Sequence, residues 1–262
     1  MGESLDIEGH TSRAFDGDLS ALHVRVVEMG GLVLLQVREA ATAYTDWDAS
    51  IANGVLERER QVNGYDLSVD EQSLALIARR QPMASDLRAV LAMSKIVSEL
   101  ERAGDEAKKI ALTVLGRAGR AGGRPGSATA RDARHLARLA VNMIRLSLDA
   151  LDRLDTELAQ RVIALDRELD DEYADGVRRL LTRAMEDSRY FSVALEAAFV
   201  LKSLERIGDH ARNISRLVIS IGPRAAARSG ATSDPADLEL PGGTRAAEAP
   251  DTPTPRSGAS AA

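Results

Sequence analysis

The residues of this chain whose types and spacing could do chemistry are carboxylates. Glu101 and Asp105, Asp166 and Asp170, and Glu205 and Asp209 are acidic pairs four residues apart. On a helix such a pair stacks two negative charges on one face, where they repel. The pairs gain meaning from repetition. ERAGDEAKKI at Glu101 to Ile110 and ERIGDHARNI at Glu205 to Ile214 agree at six of ten positions with a shift of 104 residues, the mark of an internal repeat. Aligning the preceding helical segments sets Glu59 against Asp166 and Asn63 against Asp170. Each repeat is thereby expected to bring two acidic motifs face to face. At about 100° per residue, Glu205 and Asp209 lie about 100° and 140° from Leu204 at the centre of the apolar stripe, and Asn213 continues the row at about 180°. Asn213 adds an oxygen; its counterpart in the first repeat is Lys109.

A hard cation with oxygen ligands, Mg, Mn, Fe or Ca, would relieve that repulsion, whereas zinc in a nitrogen-rich shell would not suit it. The candidate metal residues are Glu59, Asn63, Glu101, Asp105, Asp166, Asp170, Glu205, Asp209 and Asn213. Charge count favours the second set, which has four carboxylates and no lysine in the row, so it is expected to fill first. The competing reading is a solvated face whose acids pair along their own helix, Asp105 with Lys109 and Asp209 with Arg212.

Other chemistry has little support. There is no cysteine, which removes disulfides, thiolate metal sites and a Cys nucleophile. Walker A, GxGxxG, HExxH and GxSxG sequences are absent. His10, His23, His135 and His210 form no pair at ligand spacing, and none lies three residues after a Glu, so the carboxylate-bridged di-metal enzyme that needs Glu-x-x-His loses its motif. A histidine phosphotransfer bundle using His135 or His210 is the other alternative. His210 falls on a different helix face from Asp209 and reads as a surface residue. Trp47 and Tyr65 read as packing. The net charge is −6, with no basic block, so a nucleic-acid partner is not expected. The N-terminus is acidic, unlike a signal peptide, and the most apolar run, Gly30 to Val37, is short for a bilayer. Any membrane role is therefore expected to be peripheral, and the cytoplasm the expected location.

The elements that must position these acids are helices. Aromatics are 3% of the chain, and Ala, Leu, Arg and Glu dominate, which favours helix over sheet. Apolar residues recur every three or four positions from Phe15 to Tyr44, from about Trp47 to Arg79 with Asp46 as cap, and from Asp86 to Gly116. Residues 119–127, with four glycines and Pro125, read as a linker. The pattern then restarts through Leu136 to Leu154, Val162 to Leu180 and Leu195 to Val218. The expectation is an all-α tandem repeat of two antiparallel three-helix bundles: an arm at 1–14, repeats at 15–118 and 128–222, and a tail at 223–262. Six of the eight prolines fall in that tail, whose composition reads as disordered.

Taken together, the repeated ERxGDxAxxI, the RRQPMASDLR segment at Arg79 to Arg88, the MGG at Met29 to Gly31 and the MEDSR at Met185 to Arg189 resemble the PhoU family, the regulators that accompany phosphate transport systems. The resemblance runs from Phe15 to Gly222. It implies two bundles related by a pseudo-twofold, often as a homodimer, with metal ions or clusters held by acidic E(D)xxxD motifs. By position these are Glu59, Glu101 and Asp105 in the first repeat and Asp166, Asp170, Glu205 and Asp209 in the second, with Asn63 a departure from the pattern. It further implies no catalysis. The expected role is a negative regulator linking a phosphate ABC transporter, through its ATPase subunit, to a membrane sensor histidine kinase.

Overall fold

A computed structural model of the protein describes residues 13–117 and 124–222. The expected arm, most of the linker and the tail lie outside the described residues. Within them the chain forms six long helices in sequence, α1 (Arg13–Asp46), α2 (Ala49–Arg80), α3 (Ser85–Arg117), α4 (Ser127–Arg153), α5 (Thr156–Glu186) and α6 (Phe191–Ile221), with one 3₁₀ turn at Ser188–Tyr190. The all-α tandem arrangement is therefore the observed one, with no strand among the described residues.

The two repeats turn their first corner in the same way. Trp47 and Leu154 adopt left-handed backbone, φ 61° and 50°. The next amides reach back five residues, Asp48 N to Ala43 O and Asp155 N to Ala150 O, each 2.9 Å. This 6→1 bond is the Schellman closure of a helix. Asp48 and Asp155 then start the next helix: the carboxylate of Asp48 accepts from the amides of Ser50 and Ile51, and that of Asp155 from Glu157 and Leu158. An N-cap of this kind satisfies donors that the first turn leaves orphaned. The cap of α2 is thus Asp48, whereas the sequence pointed to Asp46, which is the last residue of α1. Helix α2 runs without a break through Asn63 and Gly64. The second corner of the first repeat closes with Gln81 in the left-handed region, φ 48°, ahead of Pro82.

Each repeat packs its three helices on one another. The repeats join along two seams, α3 against α6 and α1 against α4, while α2 and α5 lie against the other two helices of their own repeat. Ion pairs Glu106–Arg206 and Arg117–Glu196 set α3 and α6 antiparallel. A single buried apolar cluster runs through both repeats, including Leu22, Met29, Ile96 and Leu100 of the first and Leu136, Ile144, Leu169 and Leu201 of the second. Each such side chain contributes about 1.5–3 kcal/mol on burial. Helix α1 is long and apolar enough to cross a membrane by length and composition, more than its short Gly30–Val37 run suggested. Here Leu22, Val26, Met29, Val33 and Val37 are spent on the core.

Candidate acidic clusters on the outer helix pairs

The first cluster lies between α2 and α3. Glu59 on α2 is 4% exposed, and one of its carboxylate oxygens accepts a 2.7 Å hydrogen bond from the Gln36 amide of α1. Gln36 is itself fully buried and also donates to the Gly104 carbonyl at 3.3 Å. Its own Oε1 has no hydrogen-bond partner. Space at this point exists because position 104 is glycine: a Cβ there would stand 3.1 Å from Gln36 Oε1 and 3.3 Å from Glu59 Oε2. Burial, and then the charges of Asp105, Asp66 and Glu59, push the Glu101 carboxyl above the usual carboxylate range. Those charges tie four acids into one group. Into it reaches Lys108, whose ammonium is 3.3 Å from Asp105 Oδ1 and 3.5 Å from Glu59 Oε1.

The second cluster lies between α5 and α6. Glu205 is 8% exposed, and burial raises its carboxyl, opposed by the Lys202 hydrogen bond and reinforced by the charges of Asp209 and Asp170. Asp170 is raised by burial and by Asp166 and Asp209. Asp170 thus feels Asp166 and Asp209, and Glu205 feels Asp209 and Asp170, which ties the four acids of the motif into one group. Two cations answer them. Lys202 sits 2.6 Å from Glu205 Oε2 and 5.3 Å from the Tyr173 ring centroid. Arg212 bridges the two helices, one amino group on Asp166 and the other 2.6 Å from Asp209 Oδ1. Burial disfavours the charged guanidinium, but the Asp166 hydrogen bond and the surrounding carboxylates more than offset this and raise its pKa.

Both competing sequence readings leave a trace in this geometry. The acids converge as the repeat alignment expected, and they are also paired with bases. The pairing partner of Asp105 is Lys108, whereas Lys109 instead donates to Glu106 at 2.8 Å. Asn63 is exposed, and the second acid of α2 that joins Glu59 at Glu101 is Asp66, one turn further on. Asn213 does not reach the second cluster: its amide donates to Glu99 Oε2 of α3 at 3.0 Å. The reason is the helical drift of a four-residue row, about 40° per step, which by the third residue has carried the row from the α5 side of α6 to the α3 side. His210 shares that seam. It is 7% exposed, with Nδ1 2.8 Å from Glu99 Oε2, so the expectation of a surface histidine is corrected. Its Nε2 is buried as well, which withholds it from a phosphoryl donor. His135 is half-exposed and contacts Arg138 and Glu172.

For a resident metal ion, the donor chemistry is consistent in one respect: every candidate ligand is oxygen. Among the described residues, however, no three Asp, Glu or His side chains stand arranged around one point as a finished shell. The first cluster fits an ion better, since Gln36 Oε1 beside Glu59 is a buried acceptor without a donor. The second does not fit one while Arg212 spans it.

Comparison with known proteins accounts for the repeat. The PhoU domain family matches residues 26–114 and again 133–218. The chain belongs to the PhoU family. It is 42% identical over 215 residues to a phosphate-specific transport system accessory protein PhoU homolog of Pseudomonas putida, covering 80% of this chain and 81% of that one. It is 38% identical over 216 residues to the phosphate-specific transport system accessory protein PhoU of Escherichia coli, covering 82% and 88%. The crystal structure of PhoU from Pseudomonas aeruginosa superposes with a TM-score of 0.74 at 40% identity, over 79% of this chain and 98% of that one. That of the Streptococcus pneumoniae phosphate transport system regulatory protein, at 23% identity and TM-score 0.71, covers 79% and 96% and shares the PhoU fold.

Proposed function

We propose that this PhoU-family chain is an accessory regulator of phosphate transport, a non-catalytic adaptor that restrains a phosphate ABC transporter and a phosphate-sensing histidine kinase when phosphate is sufficient. The observation that carries the reading is likeness across both repeats to proteins whose names place them with the phosphate-specific transport system. Residue chemistry is consistent with it. The acids are held by protein cations and, at Glu59, by the buried Gln36 amide. An adaptor needs shape and charge more than a reaction centre. Its partners would be the transporter ATPase subunit and the membrane sensor kinase, met at the cytoplasmic surface of the membrane, and the working unit a homodimer.

The first cluster would hold a divalent or iron ion, Mg, Mn or Fe, through Glu59, Asp66, Glu101 and Asp105. The ion would supply positive charge that binds α2 to α3. The test is deletion of the gene in its own host. Uptake and a starvation reporter should rise in phosphate-rich medium, and unchanged output in a strain without a second copy would reject the reading.

A further inference from the structure

The two clusters have diverged in what neutralises them. In the second, Arg212 of α6 reaches Asp166 across the helix pair and Asp209 on its own helix, and Lys202 covers Glu205. Three of the four acids therefore carry a protein cation, and only Asp170 has none at hydrogen-bond distance. In the first, Lys108 meets two of the four acids, Asp105 and Glu59, at the longer distances of 3.3 and 3.5 Å, and its side chain is 38% exposed. Arg102, although next to Glu101, gives its guanidinium to Glu99.

We propose that Arg212 is the built-in counter-ion of the second cluster, standing where a metal ion would otherwise sit, so that a hard divalent cation enters the first cluster of this chain and is excluded from the second. The chemistry of the two bases supports the asymmetry. A guanidinium stays charged at any pH a protein survives, and its planar fork here spans two carboxylates, through a charge-assisted hydrogen bond to Asp166 and an ion pair with Asp209. An incoming ion would have to break both and leave a half-buried positive charge beside itself. Lysine is a point charge on a flexible stem. Lys108 can swing outward, leaving four carboxylates and the Gln36 Oε1 acceptor to a divalent ion.

The inference rests on the metal-binding reading only for the first cluster; the role of Arg212 stands on its own contacts. The test uses the full-length, untagged, metal-stripped chain titrated with Mn²⁺, with ions per chain counted by elemental analysis after dialysis and melting followed in parallel. Arg212→Gln should lower the melting temperature without metal, recover it with Mn²⁺, and bind one ion more per chain than the wild type. Adding Asp209→Asn should remove that extra ion. Should Arg212→Gln fold poorly, Arg212→Lys, which keeps one charge and loses the fork, should bind the extra ion more weakly than Arg212→Gln would, yet measurably more tightly than the wild type. An unchanged count and unchanged metal response in both variants would overturn the proposal. A wild type that binds nothing while Arg212→Gln binds one ion would reject the metal reading of the first cluster and leave the role of Arg212 supported.

Discussion

The same three-helix frame is built twice in this chain, and the two copies use its most crowded point differently. In the first repeat, Gly104 of α3 makes room for Gln36 and Glu59, a buried amide on a buried carboxylate. In the second, the corresponding Gly208 of α6 makes room for Leu169 and Met143, and Met143 stands where Gln36 stands. One glycine serves a polar contact and the other an apolar one. The repeat therefore preserves backbone spacing, and the side chains beneath it are free to change chemistry. The same lesson applies one turn away, where Lys108 serves one acidic cluster and Arg212 the other.

Substitutions can break the comparison or sharpen it. The largest effect is expected at Gly208. A Cβ there runs into Leu169, and overpacking a core of this density costs about 3 kcal/mol at the upper end of its usual range. Gly104→Ala, whose Cβ meets the polar tips of two side chains that can give by a few tenths of an ångström, should cost clearly less; thermal melts of the two variants compare them directly. Next comes Gln36→Met, which imposes the second repeat's residue on the first. It leaves the Glu59 carboxylate without its 2.7 Å donor and should cost about 2 kcal/mol in urea unfolding. The smallest effect is at the shared corner: Asp48→Ala and Asp155→Ala each remove an N-cap and should each cost about 1 kcal/mol. Unequal losses there would mean that the matching hydrogen bonds hide different packing.

Much of this frame was legible in the sequence because Val, Leu and Ala recur at helical spacing on every buried face, and because the acids repeat at a fixed shift. The cap of α2 was not. Two aspartates flank Trp47, and only the left-handed turn at Trp47 decides that Asp48 faces the new helix. The α3–α6 seam was equally hidden. His210 reads as a surface residue on an isolated helix and Asn213 as a candidate ligand, and Glu99, more than a hundred positions away, is the partner that both meet. Asp66 was missed because a four-residue step from Glu59 lands on Asn63, whereas the acid that feels Glu101 comes one turn later. Gln36 did leave a signal: a polar residue inside the buried stripe of α1, between Val33 and Val37. Arg212 was visible as a neighbour of Asp209, but its bridge to Asp166 crosses between helices and has no local trace.

The most direct test of unequal repeats is the Mn²⁺ content of the wild type beside Asp105→Asn and Asp209→Asn, each dialysed against the same free metal. One ion per chain, lost with Asp105→Asn and kept with Asp209→Asn, is the expected result. Loss with Asp209→Asn and retention with Asp105→Asn would contradict it.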